Sequence, residues 1–197
     1  DFRPEYRQLK TLRATFPHVP IAAFTATAIP AVRNDILLQL DFINAKTYIA
    51  SFNRKNLFYS IHNKENTYKQ LTTYLSQHKN DSGIIYCFSR DKTETLAQKL
   101  NDDGFRSLPY HAGLDADTRT QNQEKFIKDD IDIIVATIAF GMGINKSNVR
   151  FVIHYDIPKI FEGYYEETGR SGRDGGEGKC IAFYQYKDIE KLEKFMK

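Results

Sequence analysis

The sequence predicts an α/β fold, a doubly wound and mostly parallel sheet with helices on both faces. Three observations lead there. Apolar runs rich in branched residues recur at "VPIAAFTA", "NLFYSI", "GIIYCF", "IDIIVAT", "VRFVIHY" and "KCIAFYQY". They are near-continuous rather than alternating, as in strands buried on both faces, and such sheets are parallel. Between them lie polar segments with apolar residues at helical spacing, the alternation of crossover units.

Taken in order, the first run, "VPIAAFTA", is read as a strand within an N-terminal stretch of about two helices and two strands. That is too little to form a core of its own. A polar break follows at residues 50–56, "ASFNRKN", and divides residues 1–50 from residues 51–197. After the break, "NLFYSI" predicts a strand and "KENTYKQLTTYLSQH" a helix. "GIIYCF" is the next strand, and Asp91 is placed to start the helix "KTETLAQKLNDDG", which Gly104 ends. Asp115 is placed to start "ADTRTQNQEKFIKD". The runs "IDIIVAT", "VRFVIHY" and "KCIAFYQY" complete a set large enough for an independent core. The expectation is one complete domain preceded by the end of another, with the chain truncated at its N-terminus.

Composition narrows the class. Of 197 residues, 41% are hydrophobic and 27% charged, an ordinary globular balance. No apolar run approaches membrane-spanning length, and "DFRPEYRQLK" lacks the regions of a signal peptide. A net charge of +3 is compatible with a polyanionic partner without demonstrating one. The two cysteines, Cys87 and Cys180, lie inside apolar runs and read as buried thiols. No cysteine or histidine spacing suggests a metal site, and a reducing, cytoplasmic setting is expected.

In doubly wound sheets ligands sit at the carboxyl ends of the strands, and four loops are assigned to that position. "CFSRDKTE" offers Ser89 and Arg90, "PYHAGLDADT" offers His111, Ala112 and Gly113, and "VATIAFGMGIN" carries two glycines after Thr137. "ETGRSGRDGGEG" places Arg170 and Arg173 three residues apart, each after a glycine. Glycine-exposed amides and helix N-termini favour phosphate oxygens by about 0.3 to 1 kcal/mol each at exposed sites. Plainer readings stand beside these. Ser89 and Arg90 read equally as a solvated loop, His111 as a structural histidine, and the arginines as counterions of Glu166 and Glu167.

Taken together, these segments resemble the RecQ family of superfamily-two DNA helicases over essentially the whole chain. "FTATA" at residues 24–28 looks like helicase motif III and "GIIYCFSR" like motif IV. "VATIAFGMGINKSNVRFVIHYDIP" is similar to the motif V region and "YYEETGRSGRDG" to motif VI, and these two matches are long and specific. "DFRPEY" resembles the tail of the family's aromatic-rich loop. The chain lacks a phosphate-cradling G-x-x-x-x-G-K-[ST] and an acidic DExH box. The resemblance implies that both lie upstream in a first RecA-like domain. It makes residues 1–50 the end of that domain and residues 51–197 the second RecA-like domain. A four-cysteine zinc module commonly follows in the family.

The resemblance implies roles. ATP, with Mg2+, would lie in the cleft between two RecA-like domains and be bound mainly by the first. Arg173 would be the arginine finger on the γ-phosphate, Arg170 would act beside it on the phosphates or in domain coupling, and Gly143 and Asn145 would complete the nucleotide side. Ser89, Arg90, His111, Ala112, Gly113 and Thr137 would track the backbone of single-stranded or partially duplex DNA. Thr25 and Thr27 would couple hydrolysis to domain movement. Two positions depart from the family pattern: Glu166 replaces a usual glutamine and is expected to turn toward an arginine, and Ser147 stands where proline is common. A nucleic-acid-binding module without motor activity is the alternative. An unrelated phosphate-binding α/β transferase is a third reading, but it leaves the motif V match unexplained.

Overall fold

The computed structural model describes residues 4–25, 28–42, 44–51, 53–141, 144–188 and 190. The chain divides into two compact units, Asp1–Asn53 and Arg54–Lys197. In the first unit a 3-10 turn, Pro4–Lys10, leads into α1 (Thr11–Thr15), and α2 (Pro30–Gln39) follows. Pro30 opens α2 because its ring presets the helical φ and its missing N–H has no partner there anyway. The strand expected at "VPIAAFTA" does not form: described residues 19–25 have no regular structure, and Phe24 is 95% exposed. A strand needs a neighbour for its N–H and C=O groups, and among the described residues of this unit there is none.

The second unit holds six strands, β1 (Leu57–Asn63), β2 (Ser82–Tyr86), β3 (Ser107–Tyr110), β4 (Ile133–Ala136), β5 (Val149–His154) and β6 (Gly178–Tyr184). They form one sheet in the order β1-β6-β5-β2-β4-β3, and every pairing is parallel. The helices are α3 (Thr67–Gln77), α4 (Arg90–Asp102), α5 (Ala116–Ile127) and α6 (Phe161–Thr168). Consecutive β2 residues enter opposite cores. Ile85 joins Leu71, Leu75, Leu96, Leu100, Phe151 and Phe183 on the α3 and α4 side. Ile84 joins Phe126, Ile134, Phe140 and Val152 on the α5 side. Burial on both faces is what the near-continuous apolar runs require.

Local chemistry sets the element ends. Ser89, not Asp91, is the N-cap of α4: its hydroxyl accepts from Lys92 N, and Asp91 falls in the first turn. Both residue types cap well, so the sequence alone does not separate them. Asp115 caps α5 as expected, accepting from Thr118 N at 2.8 Å. Gly104 ends α4 at φ +86, a conformation that favours glycine. The strand β3 contains Pro109 and was absent from the apolar runs. It is an edge strand, where a missing donor leaves no ladder bond unmade. The helix α6 was also not anticipated: its N-cap, Ile160, offers no side-chain acceptor.

The chain leaves β2 for β3, returns to β4, then crosses to β5 and β6 on the other side of β2. Such a reversal opens a crevice at the carboxyl ends. A cavity of about 670 Å³ runs from there along α6, lined among others by Tyr86, Cys87, Ile138, His154 and Ile157 and reached at its far end by Arg170. Both cysteines are buried and free, and burial pushes each thiol up to about 12. Among the described residues no helix is long and apolar enough to cross a membrane.

Candidate functional site

Three adjacent strands, β2, β4 and β3, deliver the first group of expected residues to their carboxyl ends. Ser89 and Arg90 are exposed where α4 begins, and Ala112 and Gly113 are exposed after β3. His111 is buried at 2% exposure. Its Nδ1 accepts from Gly113 N at 3.2 Å, so its Nε2 carries the proton and donates to Glu94 Oε1 at 2.8 Å. His111 therefore shapes the 111–113 turn from beneath, with Gly113 on the surface. A methyl on Gly113 would meet Arg90 Cδ and Nη1 at 3.0 Å, so the Arg90 side chain lies over that glycine. Thr137 N donates to Tyr110 O at 3.1 Å, tying the exit of β4 to the end of β3. The result is an amide, a hydroxyl and a guanidinium along one rim.

A carboxylate anchors that rim. Asp156, just after β5, accepts from Phe88 N at 3.1 Å, Lys92 Nζ at 2.6 Å and Lys64 Nζ at 3.0 Å. Burial pushes its carboxyl up, but donation from Lys92, Phe88 N and Lys64 outweighs that and holds it below the usual range. Lys64 also reaches Asp188 at 3.2 Å, which joins the ends of β1, β5 and β6.

The arginine loop lies elsewhere, which corrects the expectation that all four loops share the carboxyl ends. It follows α6 and precedes β6. Gly172 N donates to Val149 O, at the first residue of β5, at 2.8 Å, and Gly178 N donates to Asn56 O at 2.9 Å. The crossover helix has carried the chain back along the sheet, so the loop sits at the amino ends of β5, β6 and β1. Arg170 is 5% exposed. Its Nη1 donates to Gly141 O at 2.6 Å, and its Nη2 to Glu166 Oε1 at 3.2 Å, the turn toward an arginine expected for Glu166. Arg170 thus braces the loop after β4 against α6. Glu167 turns the other way, onto His154 Nε2 at 2.7 Å, a buried pair stacked on Tyr86.

Arg173 is exposed, and its Nη1 donates to Ile144 O at 2.8 Å. Among the described residues no carboxylate pairs with it. Although the residue is exposed overall, partial burial of its guanidinium and then the charges of Arg170 and Arg54 hold it below the ordinary range. An unneutralised cation crowded by two others suits an anion with several oxygens. Asn145 is exposed beside Ile144. Thr25 is exposed in the first unit, while Gly143 and Thr27 lie outside the described residues. No group of three or more His, Cys, Asp and Glu side chains among the described residues is arranged to hold a metal.

Sequence reasoning missed Arg54 and Asn56, treating them as part of a polar break. Arg54 donates to Gly169 O at 2.8 Å and Gly172 O at 2.5 Å. Asn56 Nδ2 donates to Gly172 O at 2.8 Å and Gly176 O at 2.7 Å. No local pattern announces them, because their partners are backbone carbonyls more than a hundred positions away.

Residues 64–175 match the model of the helicase conserved C-terminal domain. The whole chain is similar to the ATP-dependent DNA helicase RecQ of Haemophilus influenzae, 48% identical over 196 residues and covering 32% of that protein. It is 46% identical over 200 residues to the RecQ-like DNA helicase BLM of Xenopus laevis, covering 15% of it. For the ATP-dependent helicase SGS1 of Saccharomyces cerevisiae, 98% of the chain aligns at 42% identity and covers 14% of that protein. The chain thus spans about a third of the bacterial relative's length and less of the eukaryotic ones. With its all-parallel sheet and the matched span running from Lys64 through both loop arginines, the chain belongs to the helicase conserved C-terminal domain family, among the RecQ helicases.

Proposed function

We propose that the chain supplies the arginine side of an ATP-dependent DNA motor that moves on single-stranded DNA and unwinds partial duplexes in recombination and repair. On this reading residues 51–197 are the second RecA-like domain and residues 1–50 the end of the first. The observation that carries it is Arg173: a guanidinium fixed through Ile144 O, free of carboxylates among the described residues, and flanked by two further arginines. ATP supplies the free energy of phosphoryl transfer, and Mg2+ is expected with it, its ligands outside the residues described. As the γ-phosphoryl group departs, charge spreads over its oxygens, and a rigid, always-protonated fork stabilises that charge. Arg170 holds the loop after β4 to α6, so movement at the phosphates reaches the strand rim through Gly141 and Thr137.

At that rim Arg90, the exposed Ala112–Gly113 backbone and the Thr137 hydroxyl would follow phosphates and sugars. Such contacts carry no base information, which suits a motor that must ignore sequence. His111 acts beneath them, and Gly143 and Asn145 stand on the nucleotide side. Thr25 and Thr27 are assigned to coupling by resemblance, and a DNA-associated cytoplasmic location accompanies the reading.

The test is Arg173→Ala in the full-length gene product. DNA-stimulated hydrolysis falls by about 10³ to 10⁵, while nucleotide affinity stays within about a few-fold because the contact matters mainly in the transition state. Arg173→Lys recovers little, since a point charge lacks the fork. An unchanged rate with a lowered melting point removes Arg173 from the mechanism and leaves a contact-only module.

A further inference from the structure

We propose that Arg54 and Asn56 are positioning residues for the arginine loop, and that Arg54 sets the spacing of Arg170 and Arg173. The reading rests on the motor function proposed above. Arg54 does not hold the loop at arbitrary points. Its Nη1 takes Gly169 O, the carbonyl immediately before Arg170, at 2.8 Å, and its Nη2 takes Gly172 O, the carbonyl immediately before Arg173, at 2.5 Å. The two nitrogens belong to one planar, rigid group, so their separation is fixed by covalent geometry and the two hydrogen bonds restrain the spacing of the carbonyls and of the residues that follow them.

Asn56 locks the second of these points. Its Nδ2 donates to the same Gly172 O at 2.8 Å and to Gly176 O at 2.7 Å, while its own carbonyl accepts from Gly178 N at 2.9 Å. Leu57 then pairs with Gly178 in the β1–β6 ladder, so the anchor is rooted in the sheet. Gly172 has φ +56, and a Cβ there would meet Gly176 O at 2.4 Å and Asn56 Nδ2 at 2.6 Å. Its N–H is taken by Val149 O at 2.8 Å. Gly172 is therefore held at both its N–H and its C=O, which leaves the Arg173 side chain a narrow range of directions. Arg54 and Asn56 lie before the span that matches the family model, and Arg54 is the first residue of its compact unit.

Three variants test this: Arg54→Ala, Arg54→Lys and Asn56→Ala. In the 197-residue chain, hydrogen exchange of the amides at 170–176 is expected to quicken about 10-fold or more in Arg54→Lys, with β2 and β4 unchanged. Lysine keeps the charge but offers one nitrogen on a flexible stem in place of two nitrogens at a fixed separation. In the full-length gene product, kcat of DNA-stimulated hydrolysis is expected to fall about 10- to 100-fold, as a small misplacement of a reacting group does. KM for ATP and DNA affinity should stay within about two-fold. Recovery of kcat by Arg54→Lys would mean that charge, not spacing, is what Arg54 supplies, and overturns the proposal. So do unchanged exchange at 170–176, or a loosened loop with normal kcat. If the unsubstituted full-length protein hydrolyses no ATP, the motor reading falls, and the exchange measurement alone decides the clamp. Should Arg54→Ala fail to fold, Arg54→Lys and Asn56→Ala carry the same decision.

Discussion

At the carboxyl ends of the strands Asp156 holds the 88–92 turn as an acceptor, while at the amino ends Arg54 and Asn56 hold the arginine loop as donors. The first anchor is a titrating carboxylate facing an amide and two lysines. The second is a guanidinium and an amide facing backbone carbonyls. The groups presented differ in the same sense. Ser89, Arg90, Ala112 and Gly113 are exposed, whereas in the arginine loop Arg170 is buried and Gly172 is fixed on both sides, and Arg173 reaches the surface from that fixed base. On the proposed motor reading, a rim that follows any strand tolerates adjustment, whereas a guanidinium that meets a phosphoryl group in one geometry does not.

Gly172→Ala tests the rigid side hardest. The alanine must adopt a left-handed conformation and displace Asn56 and Gly176 O. The expected cost is about 3 kcal/mol, roughly one for the backbone and the rest for displaced hydrogen bonds. Urea midpoints on the 197-residue chain measure it, and a loss below about 1 kcal/mol would show the loop to be softer than its contacts imply.

Acid separates the two anchors next. The folded pKa of Asp156 lies below its ordinary value, so its contribution is present above the unfolded pKa and is lost as pH falls through the folded value. Asp174, at the exposed far end of the arginine loop, is also held low by Arg150, but the carbonyls of Gly169 and Gly172 depend on no carboxylate. Lowering the pH from about 5 toward 2 should therefore quicken exchange at 88–92 before it does so at 170–173. Asp156→Asn should cost about 2 kcal/mol at neutral pH and abolish the difference in order. Simultaneous loosening in the unsubstituted chain would count against separate anchors.

Gly113→Ala is the counterpart of Gly172→Ala. The new methyl meets the flexible Arg90 side chain at 3.0 Å, which can swing away, and the buried His111 Nδ1 at 3.2 Å, which must give by a few tenths of an ångström, so the cost should be about 1 kcal/mol, well below that of Gly172→Ala. Arg90→Ala sits at the bottom of the scale, within about 0.5 kcal/mol of stability. Its effect belongs to binding. The affinity of the full-length protein for single-stranded DNA should fall alike for all sequences, and the salt slope should shrink by about one. A sequence-selective loss in fluorescence anisotropy would instead make Arg90 a base reader.

What could be read from the sequence follows from what leaves a local pattern. Burial on both faces writes itself into runs such as "GIIYCF", so the parallel sheet and most helices were legible. Gly104 and Asp115 were legible because caps act within a few residues. The strand over Ser107–Tyr110 was not, since an edge strand admits proline and carries few apolar residues. The side of the sheet that holds the arginine loop was misjudged because glycine density marks a loop without saying which end it occupies. Arg54 and Asn56 looked like linker polarity, since side chains that serve distant carbonyls have no spacing to betray them. The turn of Glu166 toward an arginine was legible because Arg170 lies one helical turn further on.

The pairing of β1 with β6 sets an order of assembly. Leu57 lies opposite Gly178, so the first and last strands of the unit are neighbours. Translation at about 5 to 20 residues per second separates their emergence by roughly ten seconds. Until Gly169 and Gly172 emerge Arg54 lacks the carbonyls it grips, β5 once made keeps an open edge until β6 follows, and non-local pairings of this kind form slowly. A chain interrupted before Gly178 leaves the ribosome with its central strands available and its arginine pair unspaced. The contact proposed to space the two arginines therefore forms only after the last strand of the unit has emerged.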